Sequence, residues 1–221
     1  MREAEPPPGY PVHAPQIGYV QHVDVPYLAK ELPDGATVHL VVRPGAFVDP
    51  ARPVAVLDTP PTDDLVETIC AAITIGDGRS FEQDPRFGLV VLAEIASKAL
   101  SPAVNDMGTA IDVIGTITRL VWTWRAAVRE AAPETAFNVT IAAIAADDMM
   151  EDAFRPIARD GAGQIEVGLR LVAALRSIAA IDDPELEAAA RRRLDDVLLR
   201  AGAALAPQDL AVLEAAASGT R

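Results

Sequence analysis

The sequence predicts an α+β chain, mostly α, with a small N-terminal β module followed by a bundle of about seven helices. Three observations predict it. Twelve of the 18 prolines and all three histidines fall within the first 61 residues, where short runs rich in Val, Ile and Tyr alternate with turns. Beyond Thr62, apolar residues recur at helical spacing behind Thr-Asp and Asp-Pro starts. Half of the residues are hydrophobic but only 5% are aromatic, so the core is built from Ala, Val, Leu and Ile, which suits close-packed helices. The expected divisions are a linker or disordered tail over 1–15, a β module over 16–61 and a helical domain over 62–221.

In the β module, 17–25, 38–42 and 53–57 read as strands. Between the second and third, Arg43-Pro44-Gly45 supplies a fixed φ and a position free to take positive φ, as a tight turn needs. Strand, glycine turn, Phe47-Val48 and a closing apolar strand resemble the half-motif of biotinyl- and lipoyl-type barrel-sandwich domains. No lysine occupies a hairpin tip, because Lys30 falls in a helical turn. That favours a structural or assembly role over a carrier role.

Thr62 caps the first long helix, with Asp63 and Asp64 set against the dipole and Leu65, Ile69, Ala72 and Ile73 on its apolar face. Gly76 and Gly78 are expected to end it. Asp84 caps the next helix, with Pro85 at its first position. That helix is apolar almost all round, from Phe87 to Leu100, and is expected to be the spine of the core. Pro102 stops it, and Asn105 or Asp106 caps a third helix running to about Arg129. A short β-like run at 137–142 precedes helices at about 147–160, 164–181, 184–203 and 207–217.

The net charge of -13 argues against a nucleic-acid partner. The one basic run, Arg191-Arg192-Arg193, is followed by Asp195 and Asp196 and reads as a solvated helix face. A single cysteine, Cys70, leaves no internal disulfide or multi-cysteine metal site. No apolar run approaches the ~18 residues of a membrane span, and the polar, proline-rich start is not a signal peptide.

The candidate ligand-binding residues are Asp84, Glu94, Lys98, Ser101, Asn105 and Asp106. Glu94 and Lys98 are four apart with the acid first, the favoured orientation for a helix ion pair. Asp84, Asp106 and Asp112 offer hard oxygens, but each also reads as a cap or first-turn acid, so no metal is assigned. His22 and His39 would face one another if their strands paired. No G-x-S-x-G, dinucleotide-binding or phosphate-loop sequence is present, and no cofactor is expected. A cleft between the Trp122/Trp124 helix and the C-terminal helices is a further place for a small ligand.

Four motif groups occur in order: Gly18-Tyr19-Val20-Gln21 with Asp24; Arg43-Pro44-Gly45 with Phe47-Val48; Gln83-Asp84-Pro85 with Phe87-Gly88; and Ala99-Leu100-Ser101-Pro102 with Asn105-Asp106 and Ala110. The series resembles the bacterial predicted membrane proteins of the domain-of-unknown-function family 2254. The likeness continues through 152–158 and 169–175. Met107-Gly108 departs from the Pro-Thr that tends to follow Asn-Asp in that family, which predicts a looser capping turn. The resemblance implies that this chain corresponds to the soluble C-terminal region of proteins with N-terminal transmembrane helices, and it implies no activity.

The expected function is therefore a non-enzymatic assembly, regulatory or ligand-sensing module of a bacterial membrane protein. Its expected partners are further copies of itself and the parent's transmembrane region, with a small-molecule ligand possible. The rival is a metal-dependent or acid/base enzyme using Glu94, Lys98, Asn105 and Asp106.

Overall fold

The computed structural model describes residues 8–130, 138–141 and 143–219. The chain is α+β, with eight helices and seven short strands among the described residues. It divides into two compact units, Met1–Phe87 with Ala132–Ala143 and Gly88–Ala131 with Ile144–Arg221.

The first unit holds two small sheets. One has the order β1 (Tyr10–His13), β5 (Pro53–Leu57), β3 (Val38–Leu40), β7 (Val139–Ile141). The other has the order β4 (Phe47–Val48), β2 (Gly18–Val23), β6 (Ile73–Gly76). The continuous apolar run of β5 suits an inner strand, and Val54, Ala55, Val56 and Leu57 are all buried. Pro11 is tolerated because β1 lies at a sheet edge. β7 pairs parallel with β3, so a crossover must separate them, and the chain supplies it through two helices of the second unit. Helix α1 (Val25–Glu31) is capped by Asp24, whose Oδ1 accepts from Tyr27 N at 2.9 Å. Helix α2 (Asp63–Ala71) is capped by Thr62, as its sequence dictates. Val20, Leu28, Leu40, Leu57 and Ile69 form the centre of this unit's core.

The second unit is built from α3 (Pro85–Ala99, entering from the first), α4 (Met107–Glu130), α5 (Ala146–Asp160), α6 (Ile165–Ala179), α7 (Pro184–Ala204) and α8 (Pro207–Ser218). Its spine is α6, which packs against α4, α7 and α8. Val167, Leu171, Val172, Leu175 and Ile178 of α6 are all buried. A Cβ on Gly168 would sit 3.2 Å from Leu213 Cδ1, so the missing side chain lets α8 approach closely.

Three expectations change. The tail assigned to 1–15 contains β1, because Val12 alternates into the core and its neighbours pair with β5. The boundary expected at 61/62 falls at Phe87/Gly88: α2 ends at Ala71, and Ile73–Gly76 becomes a strand against β2 instead of a last helical turn. The seven helices expected over 62–221 are present as α2 to α8, with α2 falling in the first unit and the other six in the second. Helix α3 is not the spine; it buries the narrow stripe Leu89, Ala93, Ala96 and Ala99 and leaves Ile95 46% exposed. Its composition is apolar all round, but the side chains it buries most are small, which gives little area to organise a core around.

Candidate functional site

The polar residues of the motif groups fall into two places. In the first unit, Asp84 is buried to 3% exposure and is the N-terminal cap of α3, its Oδ1 accepting from Phe87 N at 3.0 Å. Arg79 grips Oδ2 through Nε at 2.8 Å and Nη2 at 2.7 Å. The guanidinium lies over the Phe87 ring, 4.9 Å from its centroid, and Phe81 stacks on Phe87 at 4.5 Å. A buried carboxylate persists only with partners of this kind. Gly45 takes φ +88, and a Cβ there would collide with Asp84 Oδ2, so the Arg43-Pro44-Gly45 turn closes directly over the clasp. Gln83 reaches the other way, pairing both ends of its amide with the Val23 backbone at 2.9 and 3.4 Å. Gln21 Nε2 donates to Gly78 O, and Tyr19 meets Phe47 edge-on at 5.1 Å. Three of the four motif groups thus interlock in one place.

The same unit holds its return strand by side chains. Asn138 Nδ2 donates to Ala29 O, His39 Nδ1 meets Thr140 Oγ1 at 2.6 Å, and Arg43 Nη1 donates to Ala143 O. His22 and His39 do not face each other, because β2 and β3 belong to different sheets.

The second place is the turn between α3 and α4. Asp106 N donates back to Ala99 O at 2.8 Å and Asn105 N to Ser101 O at 2.9 Å, which closes the end of α3. Ser101 Oγ donates to Lys98 O. Asn105 holds φ +50, the left-handed region that asparagine tolerates better than most residues. Its Oδ1 accepts from Gln164 Nε2 at 3.3 Å, tying the turn to the start of α6. Asp106 accepts from Thr109 Oγ1 at 2.6 Å and Thr109 N at 3.1 Å. The Thr109 hydroxyl first, then the N–H groups of Thr109 and Gly108, hold its carboxyl below the usual range. Thr109 therefore completes the cap behind Met107-Gly108.

Of the six candidates, Ser101, Asn105 and Asp106 share this turn, and Asp84 belongs to the first unit's clasp. Glu94 and Lys98 are both exposed on α3, and the structure forms no ion pair between them. Asp112 is exposed as well. Among the described residues no three His, Cys, Asp or Glu side chains gather to hold a metal ion.

Sequence reasoning missed Arg79 and Gln164 because each acts through contacts that no local spacing announces, and it missed Asp160 although its partner Arg159 is the adjacent residue. The Arg159 guanidinium beside Asp160 draws that carboxyl below its ordinary value, and the charge of Arg200 adds to it. The basic run does more than face solvent: Arg191 pairs with Glu187 on its own helix, while Arg192 and Arg193 reach Asp147 and Glu151 on α5. An open groove of about 420 Å³ runs along α6 and α8, lined by Leu169, Val172, Ala173, Arg176, Ser177 and Ala216.

What these contacts define is a mixed, mostly helical chain whose diagnostic polar residues brace turns and helix starts. The chain belongs to the family described as predicted membrane protein (domain of unknown function 2254), which matches residues 1–177. It is 36% identical over 126 residues to an uncharacterised protein of Mycobacterium bovis and to another of Mycobacterium tuberculosis strain H37Rv. In each case the match takes in 51% of this chain and 24% of the relative, so the matched region is about a quarter of the relatives' length. No solved structure matches. Among the described residues no helix is long and apolar enough to cross a membrane.

Proposed function

We propose that this chain is a non-enzymatic, soluble assembly and regulatory module of a bacterial membrane protein, acting as a homo-oligomer beside the parent's transmembrane region. The observation that carries this reading is exposed apolar surface. Ile17 and Phe81 in the first unit are each 64% exposed, and Leu199 on α7 is 76% exposed. Scattered exposed apolar residues are ordinary; these three are the side chains that the proposal assigns to contacts between subunits. On this reading the two small sheets form a barrel-sandwich-like unit that serves contacts between subunits.

The metal-dependent or acid/base alternative draws on four residues that form no common site. Asp106 is engaged by Thr109 and Asn105 by Gln164, while Glu94 and Lys98 stand apart on an exposed helix face. Light scattering over a rising concentration series tests the proposal. A mass that grows beyond the 23.3 kDa monomer is expected; a constant monomer mass at the highest concentration rejects the assembly role.

A further inference from the structure

We propose that the groove along α6 and α8 binds a single-chain anionic amphiphile of the fatty-carboxylate class. Its floor is aliphatic, made by Leu169, Val172, Ala173 and Ala216, and its volume of about 420 Å³ is that of a small-ligand site. Its polar groups cluster at Arg176 and Ser177. Most arginines along α5 and α7 meet carboxylates, as Arg155 and Arg193 do at Glu151 and Arg200 at Asp196. Arg176 instead donates Nη1 to Ala216 O and has no carboxylate partner among the described residues.

That carbonyl contact fixes the guanidinium at the C-terminal end of α8 while leaving further N–H donors on it. Gly219 makes room for it, since a Cβ there would come within 2.7 Å of Arg176 Nη2. In a chain of net charge -13, an arginine without a carboxylate beside an aliphatic groove selects for an anionic headgroup. The chain of the amphiphile would lie on Leu169, Val172 and Ala173. Ser177 Oγ accepts from Trp122 Nε1 at 3.1 Å, so an indole reports on the headgroup end. The site does not depend on oligomerisation, so its failure and that of the assembly reading are distinguishable.

The test uses sodium dodecanoate below its micellar concentration, followed by calorimetry and by amide NMR shifts across α6. Saturable one-to-one binding is expected, with shifts centred on residues 169–177. Dodecanol should bind about tenfold more weakly for lack of the charged contact. Arg176→Gln, which keeps a donor for Ala216 O, should weaken dodecanoate by about tenfold and leave dodecanol unchanged. Ala173→Phe alters an exposed side chain and should block both ligands with the circular dichroism melt unmoved. The proposal is overturned by an absence of saturable binding, by equal affinity for dodecanoate and dodecanol, or by binding that neither substitution affects. Association with anionic vesicles but not with monomeric dodecanoate overturns it equally.

Discussion

Asp84 shows how much of the first unit hangs on one carboxylate. It caps a helix, anchors Arg79 and sits under Gly45, and these duties are mutually dependent. Asp84→Ala removes a buried acceptor and strands a guanidinium that is 24% exposed, so a loss of about 3 kcal/mol is expected from urea unfolding. Gly45→Ala adds a steric clash to a positive φ and should cost at least as much, with the same measurement as its check. Asp106 yields a pH prediction. Its folded pKa lies below the unfolded aspartate value of about 3.9, so its stabilising share is complete above that value and is lost as pH falls through the folded one. Thr109→Val removes the first cause of the shift, and an NMR titration should then find the Asp106 carboxyl closer to its ordinary value. Both caps were legible in the sequence, because an acid before Pro85 and an Asn-Asp ahead of an apolar run are local signals. Arg79 was not, since its distance from Asp84 in sequence matches no regular element.

At the scale of elements, the helix starts were readable and the ranking of the helices was not. Asp183 before Pro184 announces α7, and its Oδ1 accepts from Glu185 N and Leu186 N at 3.0 Å. The sequence could not show that Arg125 of α4 grips its other oxygen at 2.6 Å. Asp183→Ala loses the cap and the pair together, an expected cost of about 2 kcal/mol by thermal or urea denaturation. Apolar composition pointed to α3 as the spine, but burial follows from which face carries large side chains and which neighbours exist to meet it. Leu175→Ala on α6 should cost about 3 kcal/mol, whereas Val91→Ala on α3 should cost under about 1 kcal/mol. Equal losses from these two variants would contradict the assignment of α6. Strand β6 was missed for a related reason: Ile73 continues the helical spacing of α2, and only pairing with β2 overrides it.

At the scale of the molecule, the α+β class followed from composition, but the division into units did not. The boundary at Phe87/Gly88 and the return of β7 depend on pairing between segments about 100 residues apart, which periodicity does not register. The proposed mode of action is self-assembly through exposed apolar surface. Sedimentation velocity on the wild-type chain beside Phe81→Ser and Leu199→Asp tests it most directly. A concentration-dependent shift to larger species is expected in the wild type, with its loss in at least one variant. A wild-type chain that sediments as a monomer at every concentration would contradict it.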